Sequence, residues 1–206
     1  MPGAGVIVIG GSAGGMKALR GIFGTFPDAG DSVVCVVLHR SPDHSPLAQV
    51  LQTYTGIPVA EPADSPWTCP PGAVTVAPAG YHLLVGRNRA TAANPATPLS
   101  PYASAPGVRA HLTLDAPVAY SRPSLDVTFI SAAEFTKSTV AVLLSCANED
   151  GAAGCEAVKA AGGRVVLQDP DSCEAPVAVK AALRTVAPDH MADPAGIGTW
   201  LSQALG

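Results

Sequence analysis

The run Val6-Ile7-Val8-Ile9 opens into Gly10-Gly11-Ser12-Ala13-Gly14-Gly15, and this junction constrains the fold more than any other stretch of the 206 residues. Four consecutive β-branched residues predict a short strand buried on both faces. Residues 16–23 follow with Leu19, Ile22 and Phe23 at helical spacing. A strand feeding a helix through glycines sets one serine on a sharp bend, and glycine supplies the positive φ and close backbone approach the bend needs. The hydroxyl of Ser12 then lies beside a helix N-terminus, where free N–H groups favour negative charge. Gly10-Gly11-Ser12-Ala13-Gly14 also fits G-x-S-x-G, a pattern that presents a nucleophile.

A glycine-rich turn after a first strand commonly binds phosphate, but two such motifs fail here. The dinucleotide fingerprint G-x-G-x-x-G requires a second glycine where Ser12 or Ala13 stands, and an acidic residue at the second strand end, where the chain has His39. The P-loop requires a lysine where Met16 follows Gly15.

The rest of the chain continues the alternation. Apolar runs at residues 32–38, 139–144 and 163–168 read as further buried strands, and residues 47–51, 126–135, 151–161 and 176–183 as helices. Residues 73–77 and 83–85 flank Pro78-Ala79-Gly80 and suggest a hairpin or tight turn, residues 111–114 a short strand, and residues 94–106 an exposed loop. Buried strands alternating with helices imply an α/β fold with a mainly parallel sheet. The length suits a single domain over residues 1–206.

A net charge of −4 without clustered Lys or Arg argues against a large nucleic-acid interface. No run approaches membrane-spanning length, and the first five residues lack a basic signal-peptide region. Five widely spaced cysteines without C-x-x-C suit reduced packing residues in a cytoplasmic protein. His44, five residues past His39, invites a metal reading. No ligand array supports it, and Pro42 and Pro46 oppose a helical pair, so neither metal nor cofactor is expected.

Ligands of open α/β sheets bind beyond the carboxyl ends of the strands. Ser12 follows the first predicted strand, His39 the second, and Asp150 comes six residues after the strand ending at Leu144. A hydroxyl to attack, an imidazole to take its proton and a carboxylate to orient the ring are what acyl transfer needs. Each has a plainer alternative: His39 as a loop histidine, Asp150 as a helix cap. Chain order Ser-Asp-His would use His190 instead. We favour His39, because it directly follows a strand expected beside that of Ser12. This predicts His39 Nε2 near Ser12 Oγ, with Asp150 on the other ring nitrogen, and a rate rising between about pH 5 and 8 as an ordinary histidine loses its proton.

Five ordered segments make the chain resemble the catalytic domain of the CheB family, the chemoreceptor glutamate methylesterases. They are Ile9-Gly10-Gly11-Ser12-Ala13-Gly14-Gly15, Leu38-His39-Arg40-Ser41-Pro42, Pro71-Gly72-Ala73-Val74-Thr75-Val76-Ala77-Pro78 with His82 beyond it, Arg122-Pro123-Ser124-Leu125-Asp126 and Glu149-Asp150-Gly151-Ala152-Ala153-Gly154. The resemblance implies a doubly wound α/β fold, helices on both faces of a mainly parallel sheet, and a small antiparallel hairpin. It implies a serine hydrolase of methyl glutamate, some members also deamidating glutamine, with methylated receptor or receptor-like helices as partners in chemotaxis signalling. Ser12 becomes the nucleophile, His39 the base, Asp150 the orienting carboxylate, and Gly11, Ala13 and Ala147 the oxyanion loops; His82 and Arg122 fall near the substrate site.

The chain departs from the family pattern at Cys146, where glycine is usual, and at Val177-Ala178, where a Met-Pro pair is common. No receiver domain is expected ahead of the first strand, which implies an ungated enzyme, control by a separate protein such as a response regulator or methyltransferase, or a chain cut from something longer. A non-catalytic CheB-like binding module and a small-molecule carboxylesterase are the alternative readings.

Overall fold

The computed structural model describes residues 5–43, 45–87 and 107–205. The expected strand–turn–helix is present. β1 (Val6–Gly11) is buried along its length, and α1 (Gly15–Thr25) turns Leu19, Ile22 and Phe23 into the core. Then come β2 (Val33–Leu38), α2 (Leu47–Gln52), β3 (Val59–Ala60), β4 (Trp67–Cys69), β5 (Ala73–Val76), β6 (His82–Arg87) and β7 (Val108–Thr113). The second half holds α3 (Leu125–Ala132), β8 (Thr139–Leu143), α4 (Ala152–Ala160), β9 (Arg164–Gln168), α5 (Val177–Leu183), β10 (His190–Ala192) and α6 (Pro194–Leu205).

Seven strands form a parallel sheet in the order β10-β9-β8-β1-β2-β5-β3. Successive side chains on a strand face opposite ways, which divides the apolar runs between two cores. Ile7, Ile9, Val34, Val36, Val140 and Val142 pack with α1, α2 and α6. Val6, Val8, Val33, Cys35, Ala141 and Leu143 pack with α3, α4 and α5. Burying each Val, Ile or Leu among these stabilises the fold by about 2 kcal/mol, so the strands under the site are firmly held.

One local expectation is corrected. Residues 73–77 and 83–85 do not pair with each other: β5 lies in the parallel sheet beside β2, and β6 pairs antiparallel with β7. β5 is buried throughout, whereas β6 is only partly covered, so the turn between them carries the chain from one sheet to another. The small antiparallel unit is a three-stranded sheet, β4-β7-β6, whose Leu83, Val85 and Ala110 join the core beneath α3. Residues 94–106 lie outside the described residues, as does His44.

From β1 the chain builds outward through β2 and β5, then returns to lay β8 against the other side of β1. Such a switch in strand order leaves a crevice at the carboxyl ends of the strands. The ends of β1, β2 and β8 all open there.

Candidate active site

Three backbone hydrogen bonds extend the ladder past the strands and lock these ends together. Leu144 N–H donates to Gly10 O (2.8 Å), His39 N–H to Gly11 O (3.1 Å) and Ser12 N–H to Ser145 O (2.8 Å). Gly11 is buried and Ser12 half-buried at the lip. The bend after Ser12 depends on Gly14, which caps α1 with φ 78°, and a Cβ there would meet Cβ of Glu174 at 2.8 Å. The Ser12 N–H is occupied, whereas the N–H groups of Ala13 and Ala147 have no partner among the described residues. The Ser12 hydroxyl likewise makes no hydrogen bond among them.

His39 Nε2 meets Asp150 Oδ2 at 2.7 Å, with Asp150 fully buried. Asp150 does not cap the helix that follows it; α4 begins after Gly151 with no side-chain cap. It accepts instead from Leu125 N–H (2.8 Å), Asp126 N–H (3.0 Å) and the Ser124 hydroxyl (2.9 Å), at the start of α3. Asp126 reciprocates, accepting from Gly151 N–H (2.9 Å) and Gly154 N–H (2.7 Å) at the start of α4. Two carboxylates thus cross-brace two helix N-termini, where negative charge is favoured.

Burial opposes the Asp150 charge, but His39, the N–H groups of Asp126 and Leu125, and the Ser124 hydroxyl hold its carboxyl below the usual range. Burial also opposes a charged His39, yet hydrogen bonding to Asp150 and then Cys146 outweighs this and lifts the imidazole to about 9. Asp126 is pushed up, by burial first and by the Asp150 charge, against the N–H groups that bind it.

The ring of His39 faces the opposite way from the expectation. Nε2, not Nδ1, holds Asp150, which leaves Nδ1 facing the side chains of Ser121 and Cys146. Nδ1 lies 3.2 Å from Ser121 Oγ and 3.8 Å from Cys146 Sγ. Cys146 fills the position where glycine was expected, and its buried thiol donates to Asn148 Oδ1 (3.0 Å), which also accepts from Asp150 N–H (3.2 Å).

His82 and Arg122 brace the site. His82 is buried, donating from Nε2 to Ala116 O (3.1 Å) and accepting at Nδ1 from Ser124 N–H (3.2 Å), which fixes the Nε2–H tautomer and supports the residue that holds Asp150. Arg122 makes no ion pair with Asp126; its Nη1 donates to Leu114 O (3.0 Å) and Asp115 O (3.1 Å). It lines a cleft of about 360 Å3 with His39, Arg40, Tyr120 and Ser121. A second cleft, of about 540 Å3, opens on the other side of the elbow among Gly14, Lys17, Gln168 and Glu174. His190 lies on β10, its ring stacked on Trp200 at 5.5 Å.

Sequence reasoning did not single out Ser121, Ser124 or Asn148. Ser124 and Asp126 belonged to a recognised segment, so a signal was present; Ser121 precedes it in a loop without periodicity. No three His, Cys, Asp or Glu side chains cluster in a metal-holding arrangement among the described residues. No helix among them is long and apolar enough to cross a membrane.

A hydroxyl, an imidazole and a buried carboxylate at three strand ends of a doubly wound sheet outline a hydrolase-type site. Comparison with known proteins gives the same class. The model of the CheB methylesterase family matches residues 7–201. The Thermotoga maritima CheB methylesterase catalytic domain, known from its crystal structure, superposes with a TM-score of 0.83 at 27% identity, covering 98% of this chain and 99% of that one. A curated relative from Leptospira interrogans is 30% identical over 187 residues, 90% of this chain and 86% of its own length. The protein-glutamate methylesterase/protein-glutamine glutaminase of Paraburkholderia xenovorans is 34% identical over 170 residues, of which this chain spans 42% of the length. The chain belongs to the CheB methylesterase family of hydrolases.

Proposed function

We propose that this chain hydrolyses methyl esters of glutamate side chains on methylated receptor or receptor-like helices, and deamidates glutamine there, with Ser12 as nucleophile, His39 as base and Asp150 as orienting carboxylate. The observation that carries this reading is the 2.7 Å His39–Asp150 pair, set by the locked strand ends beside the Ser12 elbow. Ser12 Oγ attacks the ester carbonyl carbon and passes its proton to His39 Nδ1. The tetrahedral oxyanion faces the unpartnered N–H groups of Ala13 and Ala147, each such donor lowering the barrier by on the order of 3 kcal/mol. The C–O bond to the leaving group breaks, and Nδ1–H protonates it as methanol. Water then adds to the acyl group, again giving its proton to Nδ1, and the glutamate carboxylate leaves as Ser12 is restored. Asp150 keeps Nε2–H in place and stabilises the imidazolium. Arg122 beside this cleft suits an acidic helix; Arg40 is already paired with Glu61 (2.7 Å).

Ser121 is the second reading, because its hydroxyl is the one that touches His39. Against it, Ser121 sits in the small turn bridged by Val118 and Ser121, whereas Ser12 sits on the strand–helix bend that leads through Gly14 into α1. Incubation with a methylated receptor fragment tests the activity: methanol release by the wild-type chain is expected, and its absence with intact binding would favour a non-catalytic module. Turnover of small esters with none of the fragment would favour a small-molecule carboxylesterase.

A further inference from the structure

Residues 114–122 pass over His39 as a loop with a fixed base and a tip held from below at Ala119 O by Asn148 Nδ2 (3.0 Å), its Tyr120 side chain turned to solvent. The base is held by Arg122 on Leu114 O and Asp115 O and by His82 on Ala116 O. The tip is a two-residue turn closed by Val118 N–H to Ser121 O (3.1 Å) and Ser121 N–H to Val118 O (2.8 Å). Its central residues, Ala119 (φ 47°) and Tyr120 (φ 64°), both sit in the left-handed region. Such turns favour Asn and Gly there, and a bulky side chain in that region stores strain. Tyr120 is 103% exposed, and Leu114 and Val118 beside it are exposed as well. A strained turn that spends its largest apolar side chain on solvent gains nothing from folding by doing so.

The same turn acts on the reaction. With Nε2 held by Asp150, Nδ1 is the nitrogen left to serve Ser12, and it faces Ser121 Oγ at 3.2 Å while the Ser12 hydroxyl has no partner among the described residues. We propose that this turn makes the reaction selective for an ester carried on a protein: Ser121 occupies the working nitrogen of His39 in the free enzyme, and a helix pressing on Tyr120 withdraws it so that Ser12 can take its place. Tyr120 and Ser121 line one cleft with His39, so the surface the helix would press is continuous with the site. A small ester reaches Ser12 without touching Tyr120 and leaves the cap in place. The inference rests on Ser12 being the nucleophile. Ser121 is here a positioning residue, and Tyr120 contacts substrate.

The test compares wild type, Ser121→Ala, Ser121→Thr and Tyr120→Ala on p-nitrophenyl acetate and on a methylated receptor fragment, with kcat and KM read separately. Ser121→Ala is expected to raise kcat on the small ester roughly three- to tenfold, the effect of removing one competing hydrogen bond, and so to narrow the preference for the protein ester. Ser121→Thr restores the wild-type preference. Tyr120→Ala loses more turnover on the protein ester than on the small one. An unchanged or lower small-ester kcat in Ser121→Ala, or equal losses on both substrates in Tyr120→Ala, overturns the proposal. Mapping a fluorophosphonate label by mass separates the two levels. Label on Ser12 with unmoved preferences defeats only the turn's role; label elsewhere in the wild type defeats the nucleophile and the inference together.

Discussion

The two sides of the cleft are built on different principles. One side is the sheet edge. Ser12, His39 and Asp150 stand at the ends of buried strands, tied by backbone hydrogen bonds and braced by two carboxylates on two helix starts. The other side is the 114–122 loop, anchored at its base, left-handed at its tip and exposed in its largest side chains. The first side is held by buried ladders and helix starts. The second has a left-handed tip held by the paired 118–121 backbone bonds, by Asn148 on Ala119 O and by Ser121 on His39. In the proposed mechanism the chemistry falls on the braced side, and selection among substrates on the 114–122 loop.

Substitutions that separate the two sides rank by size. The largest effect is expected from Ser12→Ala, which removes only a hydroxyl from a bend set by glycine. Ester hydrolysis should fall by about four orders of magnitude or more, with thermal unfolding unchanged; wild-type turnover in that variant would remove Ser12 from the mechanism. Asp150→Ala should lose a similar share of turnover and, unlike Ser12→Ala, should destabilise the fold by about 3 kcal/mol or more, because it leaves the N–H groups of Leu125 and Asp126 and the Ser124 hydroxyl unpaired in the interior. Denaturant titration reads that difference, and equal stability of the two variants would break the contrast between a brace and a lip residue.

The pH dependence comes next. With His39 lifted to about 9, its neutral form is scarce at pH 7. The free-enzyme kcat/KM should therefore climb about tenfold per unit of pH until it levels near 9. A plateau reached by pH 7 would mean that the Asp150 pairing does not govern the ring. The sign also bears on stability. The folded value lies above the ordinary 6.5, so the charged ring supports the fold fully below that pH, and the support is lost as pH rises through 9. The smallest effect is expected at His190→Ala. This breaks only a ring stack on Trp200, costs about 1 kcal/mol, and leaves kcat/KM near wild type; collapse of activity would revive His190 as the base.

The same division explains how much could be read from the chain. The placement of Ser12, His39 and Asp150 at one edge of the sheet was legible because each follows a run of buried apolar residues that announces a strand and its end. Two- and three-residue strands such as β3, β4 and β10 carry no such pattern. α6 was missed because Gly196 and Gly198 oppose helix by propensity; Gly198 is there because a Cβ would run into the Ile22 carbonyl where α6 crosses α1. The expected Asp150 pairing was right in its partners and wrong in its nitrogen. Which edge a ring presents depends on what packs around it, here the Asp150 brace on one side and Ser121 and Cys146 on the other. Those groups come from segments distant in sequence.

The central claim is that Ser12 reacts through His39 Nδ1 while Asp150 holds Nε2. A crystal structure of the chain after reaction with a fluorophosphonate tests it directly. The expected adduct has phosphorus on Ser12 Oγ, its oxygen turned toward the N–H groups of Ala13 and Ala147, His39 Nδ1 within about 3 Å of the adduct, and Ser121 Oγ moved off the ring. Phosphorus on Ser121 or Cys146, or a ring that offers Nε2 to Ser12 and Nδ1 to Asp150, would contradict it.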